Sequence, residues 1–298
     1  RVFCDPVKER QWMPVSLYVG GSEHAVLHLM YARFWHKVLY DLGHVSSAEP
    51  FLKLRHQGII LGEDSRKMSK SRGNVVNPDD VVGEYGADSL RMFEMFMGPL
   101  EEMKPWSTRG VEGVFRFLNR VWRLYVEEGG ATVSFPESHD VDRDLERVFH
   151  QTVKKVGEDI EALRFNTAIA QMMIFVNEAT KAECLPRPMM EAFVLTLAPF
   201  APHLAEELWE RLGHAGSLAR ESWPVFDPAK IATENVEVVL QVNGKVRSKA
   251  LVPVDSDETA LERAALEDPH IQRYVSGKQI IKKIIVKNKL VNLVVREG

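Results

Sequence analysis

Lys67-Met68-Ser69-Lys70-Ser71, followed by Arg72-Gly73, is the stretch from which the rest of the chain can be read. Two ammonium groups three residues apart, separated by a hydroxyl, make a small and strongly cationic loop suited to polyphosphate. Serine and glycine let such a loop close over a ligand at little steric cost, and lysines act on phosphate as flexible point charges. Taken alone, the pentamer is equally a solvated basic turn, or a kinase site built on Arg66 and Ser69. The flanking sequence has to decide.

Upstream, residues 14–19 read as a short strand, Gly20-Gly21-Ser22 follows at once, and a helical pattern covers 23–42 and closes at Gly43. Strand, glycines and helix N-terminus together let a ligand approach the backbone at the carboxyl edge of a parallel sheet. The spacing of His24 and His28 puts them on one helix face, with Glu23 in the first turn beside them. Three uses are open for this group. It is a metal pair, although the HExxH glutamate and a third ligand are missing. It is a pair of half-buried structural histidines. Or it lines a small-molecule pocket in which Glu23 accepts from ribose hydroxyls.

Downstream, Asn77-Pro78-Asp79-Asp80 is a helix start with an Asn cap, a first-position Pro and acids in the first turn, opening a segment that runs to Gly98. Apolar residues then recur at helical spacing over 107–128, 140–163, 166–183 and 188–212, the last interrupted at Pro199 and Pro202. Short connections predict an antiparallel bundle with Trp122, Met172, Met173, Phe175 and Trp209 in its core. Residues 217–233 read as a linker. The period then changes to two: 236–242, the Asn243-Gly244 turn and 245–252 predict a hairpin, followed by short helices at 257–267 and 269–276 and strands at 279–286 and 290–295.

At 298 residues the chain has room for two or three domains, and 45% hydrophobic with 27% charged residues is ordinary for a folded protein. No apolar run approaches a membrane span, and two distant cysteines, Cys4 and Cys184, argue for a reducing compartment without a structural zinc site. The net charge of −4 hides an asymmetry: residues 270–298 carry seven Lys/Arg against one acid. Lys245, Arg247, Lys249, Lys278, Lys282, Lys283, Lys287 and Lys289 make this module a candidate clamp for an RNA backbone, or a solvated strand face.

Gly20-Gly21-Ser22-Glu23-His24-Ala25-Val26-Leu27-His28-Leu29-Met30-Tyr31-Ala32-Arg33-Phe34 resembles the corresponding segment of leucyl-tRNA synthetases, and Glu49-Pro50-Phe51, Gln57-Gly58 and Lys67 to Ser71 follow in that family's order. The lysine stretch resembles the second signature of class I aminoacyl-tRNA synthetases. Ser16 departs from the family, which more often has an acid there, and residues 61–66 lack a module that some members insert. The resemblance implies a multidomain fold, α/β plus all-α plus α+β: the second half of a Rossmann-like catalytic domain (1–60), the lysine loop with a connecting helical region (61–106), a helical anticodon-binding-type bundle (107–225) and a small α+β domain that contacts tRNA (234–298).

It also implies ATP-dependent attachment of leucine to tRNA(Leu), with ATP and its Mg2+ as cofactors, in the cytoplasm. Lys67, Ser69 and Lys70 would be catalytic; Gly20, Gly21, Glu23, His24, Met68 and Ser71 would hold ATP or the adenylate; His28 would line the amino-acid pocket; no metal ligand is implied. The first class I signature, His-x-Gly-His, is nowhere in these residues. The chain is therefore expected to be a C-terminal half that needs an upstream half as partner and is inactive alone. The competing expectations are a non-catalytic tRNA-binding fragment or paralogue, and a metal-dependent hydrolase using His24 and His28.

Overall fold

Asp5 accepts the backbone N–H groups of Val7 and Lys8 and starts α1 (Pro6–Trp12). The computed structural model describes residues 3–138, 140–232 and 235–296. Two compact units divide the chain, Arg1–Asp227 and Pro228–Gly298.

In the first unit, β1 (Tyr18–Gly21) and β2 (Leu54–Gln57) pair in parallel with Gly20 opposite His56 and Gly21 opposite Gln57, and α2 (His28–Asp41) makes the crossover. The strand expected at 14–19 thus sits later and takes both glycines into itself, while Val15 makes only an isolated bridge to Phe51. The expected continuous helix at 23–42 is also broken. Ser22–His24 is a single 3-10 turn, the Leu27 N–H closes on the His24 carbonyl, and α2 begins only at His28. His24 and His28 therefore do not share a helix face; their rings meet edge to face with centroids 6.5 Å apart. A fork of two 2.7 Å bonds from Arg33 to Glu49, with Lys37 at 2.9 Å, ties α2 to the chain entering β2. Those cations hold the Glu49 carboxyl at about 2.

Beyond β2 the chain forms β3 (Ile60–Leu61), α3 (Pro78–Tyr85), α4 (Ala87–Phe96) and β4 (Lys104–Pro105), with β3 and β4 parallel. Asn77 caps α3 as the sequence suggests. The segment to Gly98 is not one helix, because Gly86 adopts φ 85° and turns the chain between α3 and α4.

The bundle is α5 (Thr108–Tyr125), α6 (Arg143–Glu161), α7 (Phe165–Ala179), α8 (Arg187–Leu197) and α9 (Pro202–Arg211). The stripe of α5 at Val111, Val114, Leu118, Val121 and Tyr125 is buried, as are Met172, Phe175 and Trp209, whereas Trp122 and Met173 are half-buried at the margin. One apolar cluster runs from Val81 to Leu218 and takes in Ile60 and Met68, so the lysine loop is rooted in the helical core. Inside it, Asp159 is fully buried and accepts from Lys155 (2.7 Å), Arg164 (2.8 Å) and Thr167 (2.6 Å). The expected linker is partly folded onto the bundle: Leu218 is buried in a 3-10 turn and Phe226 packs on the core. Its end at Thr233, and the start of the last domain at Glu234, lie outside the described residues.

The second unit opens with the one-turn α10 (Pro228–Ile231) and builds a single four-stranded sheet from β5 (Asn235–Val242), β6 (Lys245–Pro253), β7 (Gln279–Val286) and β8 (Leu290–Arg296) in the order β6-β5-β8-β7. Both hairpins are antiparallel and the central β5–β8 pair is parallel. Asn243 and Gly244 both take positive φ, the requirement of a two-residue hairpin turn. Between the hairpins, α11 (Glu258–Glu267) and α12 (Pro269–Val275) contribute Leu261, Ala265 and Ile271 to one apolar cluster with Val238, Leu240, Leu293 and Val295.

Candidate functional site

Gly21 and Gln57 end the two parallel strands, and a cleft of about 430 Å³ lies at that edge, lined also by Glu23, Gly58, Glu94, Glu102 and Lys104. Glu23 is exposed and folds back against Gly21, leaving the space a Cβ would take on that glycine occupied by its carboxylate. The Gly20 carbonyl accepts from the Nδ1 of the His56 ring at 3.3 Å. His24 and His28 are exposed outside this cleft, His28 beside the Tyr18 ring at 5.7 Å. Burial raises the Glu94 carboxyl, and burial lowers the Lys104 ammonium, which donates to the Gly98 carbonyl at 3.0 Å. The cleft is thus acidic on three sides with one cation. Glu94, Glu102 and Lys104 carried no signal in the sequence, because nothing local says that α4 and the segment leading to β4 return to Gly58 just past the end of β2.

The lysine loop is built separately. Leu61 bridges Lys67, the Gly62 N–H closes on the Arg66 carbonyl at 2.8 Å, and Met68 packs its half-buried side chain on the helical core. Met68 is therefore an apolar root for the loop. Lys70, Ser71 and Arg72 form an exposed 3-10 turn that ends at Gly73 with φ 67°. The Ser69 and Ser71 hydroxyls lie 3.2 Å apart. Among the described residues neither Lys67 nor Lys70 makes an ion pair, so both ammonium groups stand free for an anion. At the base, Asn74 accepts the Ser69 N–H at 2.9 Å and donates to Asp64 at 3.1 Å. That bond, with the Arg66 N–H, holds the Asp64 carboxyl below the usual range. Both residues line a second cleft of about 530 Å³ with Glu63, Asp80 and Glu84. The strand-end residues and the base of the lysine loop thus line different clefts of the first unit.

The basic residues of the second unit do not form one patch. Lys283 lies opposite the buried Leu293 and reaches Glu262 on α11, whereas its neighbour Lys282 lies opposite Val294 on the other face. Arg247 stacks 4.0 Å over the Tyr274 ring of α12. Lys249 pairs with Glu237 at 2.7 Å and Lys287 with Asp255 at 3.3 Å. Among the described residues Lys245, Lys282 and Lys289 make no ion pair. Lys278 ends the turn into β7, its N–H bonded to the Val275 carbonyl. No group of three or more His, Cys, Asp or Glu among the described residues is placed to hold a metal ion. No helix among them is long and apolar enough to cross a membrane.

Residues 6–104 match the family of class I tRNA synthetases (I, L, M and V), and residues 142–262 match the anticodon-binding domain of tRNA ligases. A parallel β–α–β edge with a lysine loop, leading into that helical domain, carries these two matches and makes the chain similar to the class I tRNA synthetases. Within the class its sequence is of the leucine type: it is 57% identical, over 98% of its length, to leucine–tRNA ligases of two Leptospira biflexa strains. The chain spans about a third (33%) of those relatives. A solved LeuRS of Agrobacterium radiobacter K84, in ternary complex with tRNA and LeuAMS, superposes with a TM-score of 0.74 at 34% identity, covering 95% of this chain and 38% of that one. The methionyl-tRNA synthetase of Mycobacterium tuberculosis, at 18% identity and a TM-score of 0.53 over 70% of this chain and 47% of its own, shares the fold.

Proposed function

We propose that this chain is the C-terminal part of an enzyme that attaches leucine to tRNA(Leu) through leucyl-adenylate in the cytoplasm, using ATP with its Mg2+. The observation that carries the reading is the pair of free ammonium groups, Lys67 and Lys70, on a loop rooted in the core of a leucine-type sequence. The leucine carboxylate attacks the α-phosphorus, the α–β bridging bond breaks, and pyrophosphate leaves. Lys67 and Lys70 stabilise the charge that builds on the phosphates, with Ser69 and Ser71 supplying hydroxyls to the same arc. Gly20 and Gly21 keep the strand edge open to the nucleotide, and Glu23 accepts from the ribose. His24 and Met68 border the nucleotide, and His28 faces the amino acid. Mg2+ would enter with ATP and offset the charge of its phosphates.

The domain plan that goes with this reading is a half catalytic domain (1–60), the loop region (61–106), an anticodon-binding-type bundle (107–225) and a tRNA-contacting module (234–298). An upstream half completes the site. The first turns of α2 and the turn before it support that partner: Val26 and Leu27 ahead of the helix, and Met30, Tyr31, Phe34 and Trp35 on it, are each more than half exposed, an apolar area that a folded chain covers with protein. Leucine-dependent pyrophosphate exchange tests the proposal. The 298-residue chain alone is expected to give none, and addition of the upstream part is expected to restore it. Exchange by the isolated chain, or none from the two parts together, overturns it.

A further inference from the structure

Asn74 sits where the lysine loop returns to the body of the first unit, and its two side-chain atoms face opposite demands. The Asp64 carboxylate only accepts, so the Asn74 atom facing it must be the Nδ2 donor, at 3.1 and 3.4 Å from the two oxygens. That leaves Oδ1 toward the Ser69 N–H, which it accepts at 2.9 Å. The same Nδ2 lies 3.5 Å from the Lys67 carbonyl. Asp64 is fixed in turn by the Arg66 N–H at 3.1 Å. A side chain on Gly62 would meet Asp64 Oδ1 at 2.7 Å and Asn74 Nδ2 at 2.9 Å, so the strap fits only over a glycine. Beside the Leu61–Lys67 bridge, the Arg72 guanidinium on the Lys67 carbonyl at 3.3 Å and the Arg72 N–H on the Ser69 carbonyl at 3.1 Å, one carboxamide is the side chain that holds the Ser69 N–H to the body of the unit, while Lys70 to Arg72 lie exposed beyond it.

We infer that Asn74, oriented by Asp64, is the positioning residue of the lysine loop: it fixes the Ser69 N–H and so sets where Lys67 and Lys70 present their charge. The inference rests on the adenylate-forming role proposed above for those lysines. It concerns geometry, and its chemical consequence follows from the steepness of positioning effects, where about 1 Å of misplacement is worth on the order of 100-fold in rate.

The test exchanges the two side chains. Asn74→Asp alone sets two carboxylates against each other and releases the loop. Asp64→Asn with Asn74→Asp keeps an acceptor for the Ser69 N–H, a donor across the strap and an acceptor for the Arg66 N–H. Two readouts are taken. Amide hydrogen exchange across 67–72 in the 298-residue chain reads the strap without reference to catalysis. Pyrophosphate exchange in the full-length protein carrying this segment reads its consequence. Asn74→Asp is expected to accelerate amide exchange of the loop while the bundle helices stay protected, and to lower kcat about tenfold or more with little change in the KM for ATP. The double variant is expected to restore both. Unchanged loop protection in Asn74→Asp, or restored protection without restored kcat, overturns the inference. If the wild-type protein shows no leucine-dependent pyrophosphate exchange, the proposed function fails, and the amide readout still decides whether the strap exists.

Discussion

The Asp88 carboxylate accepts the Leu204 backbone N–H at 2.7 Å and the His203 ring nitrogen at 2.8 Å, so a residue from the segment after the lysine loop caps a helix of the bundle. Arg91 extends the joint by donating to the Pro199 carbonyl at 3.3 Å. Ala201, in the position where a capping residue stands, has no side-chain oxygen to offer, and Asp88 supplies one from another helix. Asp88→Ala is expected to destabilise the first unit by about 1–2 kcal/mol, the range for losing such a cap. Asp88→Asn, which still accepts, is expected to lose less. Urea unfolding followed by circular dichroism distinguishes the two.

Asp159 gives the bundle an acid limit. Burial would raise its carboxyl, but hydrogen bonds from Lys155, Thr167 and Arg164 outweigh burial and hold it below the usual range. Its folded pKa is lower than its unfolded value of about 3.9, so the stabilisation is complete above that value and disappears as pH falls through the folded pKa. Asp159→Asn is expected to cost about 1–3 kcal/mol at pH 7 and to flatten the stability profile below about pH 4. Equal urea midpoints for variant and wild type at pH 7 would contradict this account.

Gly58 lies under the chain that leads to β4. Its N–H donates to the Leu100 carbonyl at 2.7 Å, and a Cβ there would come within 1.8 Å of the Glu102 carbonyl oxygen. Because the obstacle is backbone, Gly58→Ala is expected to destabilise by about 1–3 kcal/mol, as overpacking does. Gly129→Ala, with open space at the corresponding point, is the control and is expected to stay within about 0.5 kcal/mol. The difference in urea midpoint between the two variants is the measurement.

Lys70 is exposed and without an ionic partner among the described residues, so removing it disturbs no contact of the fold. Under the proposed function, Lys70→Ala in the full-length protein is expected to lower kcat for adenylate formation by about 100- to 1,000-fold with a much smaller change in KM. A rise in KM with kcat intact would mean that the lysine binds ground-state ATP and does no more.

Lys282 and Lys283 are neighbours in sequence on opposite faces of the sheet. If tRNA is held on the face away from the helices, Lys282→Ala is expected to weaken binding uniformly and to reduce the salt slope by about one, as expected for one lost phosphate contact. Lys283→Ala, which breaks the pair with Glu262, is expected to leave the slope alone. Removing residues 234–298 is expected to weaken tRNA binding and its salt dependence more than either. Binding titrations at several salt concentrations separate these outcomes.

Several elements were legible in the chain alone. The Asn77-Pro78 start of α3, the four helical segments of the bundle, the last of them interrupted by prolines into α8 and α9, and the Asn243-Gly244 hairpin are each written in caps, turn residues or a period that a few neighbouring residues impose. The leucine-type segment and the lysine loop were legible for the same reason, since their residue types stand in one short run. Local rules failed where two weak preferences met: helical periodicity continued through Ser22 to Leu27, but the Leu27 N–H bonds the His24 carbonyl and the helix begins afterwards.

What the sequence determined by itself was chemistry of short range: where most of the bundle helices run, the capped start of α3, the Asn243-Gly244 turn, and that two lysines and two serines stand together in one short run at Lys67 to Ser71. Tertiary structure alone decided what depends on distant residues meeting. It joined two hairpins into one sheet through the parallel β5–β8 pair, sent Lys282 and Lys283 to opposite faces, and set Asp64 against Asn74 and Asp88 against Leu204. The physical reason is that hydrogen bonds and burial reward contacts without regard to separation along the chain, while helix, cap and turn preferences act only between near neighbours.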